Sequence, residues 1–203
     1  MVVGLLGVVV LTSCAHPTPP GKPGSSGFPS PVEPVAPTSV PQAREGEPAK
    51  STRVRFVPAE VVLPGGAKAP VDPARTVDGE LKVPDDPQRV GWWDGSAYAG
   101  DPFGGTVIAG HVDSAGDGIG YFVRLLKVKK GDMVTVRADS HRQRYRVTKV
   151  QTITKRALAE DSRAFDQTGP HRLVLITCTG DYRPGRGYDS NLVITAQAVG
   201  LAS

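Results

Sequence analysis

Beyond residue 51 the apolar residues come in short runs, each cut by Gly, Pro or Asp. This pattern constrains the fold more than any other feature, because it leaves little room for long amphipathic helices. Strands are predicted at Arg53–Val57, Val61–Leu63, Glu80–Val83, Thr106–Gly110, Met133–Ala138, Arg144–Gln151, Arg172–Thr177 and Asn191–Ala198. Tyr121–Leu126 reads equally as strand or short helix, and Leu158–Phe165 as a second short helix. In Arg144–Gln151, Tyr145 and Val147 alternate with Arg144, Arg146 and Thr148, the period of a half-buried strand. Leu173-Val-Leu-Ile176 does not alternate, as expected of a strand covered on both faces. Many short strands with turn signals between them argue for an all-β barrel or sandwich.

The first 50 residues cannot join that core. Ten of the chain's 19 prolines lie in residues 15–50, among Gly, Ser and Thr. Proline fixes φ and removes a backbone donor, so this stretch favours extended chain and has too few apolar residues to offset ordering. It reads as a disordered stalk. Ahead of it, residues 2–12 form an apolar run of eleven residues. That is short of the about 20 a membrane-spanning helix needs, and fits the apolar region of a secretory signal. The run ends in Leu11-Thr12-Ser13-Cys14, which resembles a lipobox, so Cys14 is the lipidation candidate. No basic residue precedes the run, and with further residues upstream it would read as the end of a signal anchor. The expected organisation is therefore a signal or membrane anchor over 1–14, a linker over 15–50 and a folded domain over 51–203. The domain would stand on the extracellular face of the cytoplasmic membrane.

The charge excludes little. A net +4 is spread along the chain without a dense basic block, and only 6% of residues are aromatic. No nucleic-acid partner is expected. Two cysteines, Cys14 and Cys178, are too few for a disulfide framework or a Cys-rich zinc site. The Gly- and Asp-rich stretch 113–120 lacks the spacing and closing Glu of a calcium loop, so neither a metal nor a cofactor is expected.

Two positions carry chemistry. The run Gly105-Thr-Val-Ile-Ala-Gly110-His111-Val112-Asp113 delivers His111 at the end of a buried strand, beside a glycine. Histidine is the side chain best suited to proton transfer near neutral pH. The run Leu173-Val-Leu-Ile-Thr177-Cys178-Thr179-Gly180 delivers Cys178 in the same manner. A thiol nucleophile needs a neighbouring base or cation to populate its thiolate. The other histidines sit in the stalk (His16), in a polar turn (His141) and ahead of a strand (His171).

Gly-His-Val-Asp at one strand end, Leu-Ile-Thr-Cys-Thr-Gly at a later one and a final Tyr188-Asp-Ser-Asn191-Leu-Val-Ile-Thr together resemble the sortases. The His-to-Cys separation of 67 (178 − 111) suits that family. Phe56-Val-Pro58, Val83-Pro-Asp-Asp-Pro87 with Val90-Gly-Trp92, and Leu125 through Gly131-Asp132 resemble the class F group of actinobacteria. The resemblance covers roughly residues 53–199. It implies an eight-stranded β-barrel with short helices and a His, a Cys and an Arg meeting at one mouth. It also implies a cysteine transpeptidase cleaving an LPXTG-like protein substrate through a thioacyl intermediate. The acyl group would pass to an amine acceptor such as a peptidoglycan precursor, with the protein acting as a monomer.

By that resemblance Cys178 is the nucleophile and His111 the acid/base. The arginine does not carry over, because the Tyr-Arg-Asp-Asn run of class F reads Tyr188-Asp189-Ser190-Asn191 here. Arg186 is the preferred replacement and Arg183 the alternative. Asp113, Thr177 and Asp189 are candidates for orienting a partner or touching substrate, Asp189 by holding Arg186 in a bidentate contact. Two competing readings stay open: an envelope cysteine hydrolase, and a non-catalytic surface-binding domain with a degenerate site.

Overall fold

The computed structural model describes residues 53–160 and 163–203. The expected anchor, Cys14 and the stalk lie outside these residues. In chain order the strands are β1 (Glu60–Val62), β2 (Lys68–Ala74), β3 (Thr76–Val77), β4 (Glu80–Leu81), β5 (Val90–Trp93), β6 (Gly105–Ala109), β7 (Asp113–Ser114) and β8 (Gly118–Ile119). A 3₁₀ segment over Tyr121–Lys127 follows, then β9 (Met133–Ala138), β10 (His141–Thr154), the short helix α1 (Lys155–Glu160), β11 (Arg172–Arg183) and β12 (Gly187–Val199).

Eight strands close into a barrel in the order β1-β2-β5-β6-β11-β12-β10-β9, as the resemblance implies. The pairs β2–β5 and β6–β11 are parallel, and the rest antiparallel. The hairpins β3–β4 and β7–β8 stand apart from the barrel. Alternation places Tyr145 and Val147 of β10 inside, with Val134 and Val136 of β9 beside them. Leu173, Leu175, Leu192, Ile194 and Ile108 complete the same interior.

A second apolar cluster lies on the other face of β6, β11 and β12. Val107, Ala109, Val174, Ile176 and Val193 are buried there beneath Leu81, Val83, Trp93, Leu158 and Phe165. The unalternating run of β11 is thus a strand covered on both sides. Tyr121–Leu126 resolves as 3₁₀ helix, and its Tyr121 hydroxyl donates to the Ala67 carbonyl at 2.7 Å. That bond fastens the 3₁₀ segment to the β1–β2 turn.

Three expectations are corrected. The run Arg53–Val57 supplies only an isolated bridge, Phe56 to Ala99. Helix α1 begins three residues before the predicted Leu158, and ends before residue 163. Glu80–Val83 contributes a two-residue strand outside the barrel. Strand β2 was not foreseen because Pro70 and Pro73 read as breakers. Those prolines are exposed; the alternation of inward Ala69 and Val71 survives Pro70 and shifts by one at Pro73, after which Ala74 is buried.

Candidate active site

His111 stands two residues past the end of β6, whereas Cys178, expected at a strand end, lies within β11, which continues to Arg183. Every β6–β11 pair, from Arg172↔Gly105 to Ile176↔Ala109, differs by 67 residues, the same separation as His111 and Cys178. Extended past the end of β6, that register sets His111 level with Cys178 of β11. Two bonds carry it on. The Gly110 N–H donates to the Ile176 carbonyl at 3.1 Å, and the buried Thr177 hydroxyl donates to the Gly110 carbonyl at 2.9 Å. Gly110 is needed for its size, since a Cβ there would stand 2.8 Å from Val90 Cγ1 and 3.0 Å from Phe122 Cδ2.

His111 and Cys178 open onto one groove of about 390 Å³. Its apolar wall is Leu81, Val83, Leu158, Phe165 and Ile176, so it is the uncovered margin of the outer cluster. Its polar side is His111, Lys155, Thr177, Cys178 and Asn191. Asn191 lies directly across the β11–β12 pair from Cys178 and is buried.

Burial pushes the Cys178 thiol above the ordinary thiol range. The Lys155 ammonium pulls it back down, and the Asp113 carboxylate adds to the rise. Asp113 accepts a hydrogen bond from the Tyr188 hydroxyl at 2.5 Å, and that bond pushes the Tyr188 phenol up. Among the described residues no hydrogen bond joins Asp113 to His111. Asp113 thus ties the loop after His111 to the base of the β11–β12 extension.

A family profile described as a sortase domain matches residues 65–199. The chain belongs to the sortase family. Solved sortases share its fold. Sortase A of Listeria monocytogenes superposes with a TM-score of 0.54 at 19% identity, covering 72% of this chain and 89% of its own. A lid mutant of sortase A from Corynebacterium diphtheriae gives 0.54 at 23% identity, with 75% of each chain covered. Sortase C1 of Streptococcus suis gives 0.54 at 19% identity, covering 70% of this chain and 73% of its own. No curated protein matches the chain.

In this sortase β11 and β12 run on beyond the barrel as a hairpin. Thr179 pairs with Ser190 and Tyr182 with Tyr188, so Gly180 and Asp181 together oppose Asp189 in a bulge. Gly180 takes the positive φ of +89° that such a bulge requires. The Asp189 carboxylate accepts from the Asp181 N–H at 3.2 Å and from the Ser190 hydroxyl at 2.8 Å. Asp189 is therefore a clasp on the bulge, and among the described residues it holds no arginine.

The arginines stand at the hairpin tip, where the Arg186 N–H closes the turn onto the Arg183 carbonyl at 2.9 Å. Both side chains are exposed and neither lines the groove. The structure brings together His111, Thr177 and Cys178 from the predicted set, with Asp113 at the margin. Lys155 and Asn191 were not foreseen as site residues. Asn191 was legible as the end of the family-like Tyr188–Asn191 run. Lys155 gave no local signal, because only the β10–β12–β11 strand order brings it near Cys178.

Proposed function

We propose that this sortase is a cysteine transpeptidase of the class F type that cleaves an LPXTG-like sorting signal and passes the acyl group to an amine acceptor of the cell wall. The supporting observation is the shared register of His111 and Cys178 at the mouth of one apolar groove. Leu158, Phe165, Val83 and Ile176 offer an apolar wall suited to the leucine and proline side chains of such a signal. The class assignment rests on the motifs around Phe56, Pro84 and Trp92.

Burial favours the neutral form of the Cys178 thiol, so a base that takes the thiol proton assists the attack of the sulfur. His111 takes that proton. The sulfur then bonds to the Thr–Gly carbonyl carbon, the C–N bond breaks, and His111 returns the proton to the departing glycine amine. In the second half the acceptor amine attacks the thioester and gives its proton to His111, the C–S bond breaks, and the leaving Cys178 sulfur takes that proton back, restoring the thiol. Thr177 is a positioning residue, since its hydroxyl fixes the Gly110 carbonyl next to His111.

The rest of the chain fits this role. The run ending at Cys14, as lipoprotein signal or signal anchor, would hold the amino terminus at the membrane. The stalk over 15–50 would let a monomeric domain over 51–203 reach substrates on the outer face. The test is mass spectrometry of the protein incubated with an LPXTG-type peptide and triglycine. A triglycine-bearing product is expected. Cys178→Ala should abolish it, and His111→Ala should lower its rate by about 10²- to 10⁴-fold. Hydrolysis without transfer would instead make the protein an envelope hydrolase, and an unreacted peptide would make it a binding domain.

A further inference from the structure

We propose that Lys155, rather than an arginine of the β11–β12 hairpin, supplies the positive charge that faces Cys178 and the oxyanion formed there. The inference rests on the transpeptidase reading given above and assigns the charged residue of that same site.

Three observations place Lys155. It lines the groove together with His111, Cys178 and Asn191, whereas Arg183 and Arg186 do not. Its backbone position is fixed, because Thr154 ends β10 opposite Ser190 of β12 and its hydroxyl accepts the Ala157 N–H at 3.1 Å, capping α1. Its Nζ lies 3.8 Å from the point a Cβ on Gly187 would occupy, so the chain reaches over the first residue of β12.

The charges around Cys178 leave this role to Lys155. Asp113 opposes a thiolate, and Tyr188 is engaged with Asp113. His111 serves the proton transfers. Glu80, which also lines the groove, forms an ion pair with Lys82 and feels the Lys155 charge only as a lesser influence. Lys155 forms no ion pair among the described residues. A cation aimed where negative charge develops acts through electrostatic stabilisation, and it favours the thiolate before attack as well.

The test compares the pH dependence of Cys178 alkylation by iodoacetamide with turnover of an LPXTG-type peptide. The variants are Lys155→Met, Lys155→Arg and the double variant Arg183→Ala/Arg186→Ala. Lys155→Met is expected to move the alkylation midpoint to higher pH and to lower kcat/KM by about 10²-fold or more. Lys155→Arg should restore both substantially, and the double arginine variant should leave both within about threefold of the parent. The inference is overturned if Lys155→Met leaves the midpoint in place, or if the double arginine variant reproduces the loss. Alkylation needs no turnover. A parent protein that fails to process the peptide therefore counts against the transpeptidase reading, while the midpoint still decides the role of Lys155. Lys155 is exposed, so its replacement leaves the core untouched.

Discussion

The sheet formed by β6, β11 and β12 has two apolar faces, and they are covered to different degrees. The inner face, with Ile108, Leu173, Leu175 and Ile194, is sealed inside the closed barrel. The outer face, with Ala109, Val174, Ile176 and Val193, is roofed by Leu81, Val83, Leu158 and Phe165, which leave a groove at the strand ends. Both faces draw on the same kinds of residue, so apolarity alone does not separate them. The difference is whether a closed set of strands or a set of short connecting segments supplies the cover. A face sealed by strands gives stability, and one half-covered by connections gives a place for an apolar peptide to bind.

Truncation on each face separates these roles. Leu175→Ala, in the inner core, should cost about 2–5 kcal/mol in denaturant unfolding, while the fraction that stays folded keeps the parent KM. Phe165→Ala, on the roof where the ring meets Trp93 edge-on at 5.4 Å, should raise KM for a sorting peptide about tenfold, equivalent to ~1.4 kcal/mol, with a much smaller loss of stability. If Phe165→Ala unfolded the protein as readily as Leu175→Ala, the two faces would be one core and the contrast would fail. The smallest effect concerns the groove's rim. Asp113→Asn removes a negative charge that raises the Cys178 thiol, so the pH midpoint of Cys178 alkylation should fall. A rise would show that the Tyr188 contact matters more than the charge.

The sequence revealed both faces but not their covers. The run Leu173–Ile176 lacked alternation because each face is covered, and the period-two pattern of Arg144–Gln151 announced a strand with one face inside. Gly110-His111 and Thr177-Cys178 were readable because each chemical residue directly follows a buried run. The covers were not readable. Helix α1 begins at Lys155, where a Thr154 cap sets its start, and no local periodicity marks Leu158 or Phe165 as a roof. Strand β2 was hidden by two outward prolines. The expectation that a hairpin arginine completes the site came from a family pattern broken at Asp189. In the structure Asp189 holds the bulge, and the guanidinium groups stand at the tip.

The parallel register of β6 and β11 has a consequence for how such a chain can change over time. The separation of 67 between His111 and Cys178 reads in the sequence as if it were a requirement. In the structure it is an offset held by five strand pairs and two further hydrogen bonds, and the intervening chain passes through β9 and β10, which lie between β12 and β1 in the barrel, before returning as β11. Residues gained or lost in the connections of that excursion would alter the count while leaving the histidine and the thiol facing each other. One residue added within β6, ahead of His111, would keep the separation of 67 and break the alignment. The chemistry is thus buffered against changes in length and exposed to slips of a single strand, which gives the barrel freedom to vary its loops, and with them its groove, around an unmoving pair.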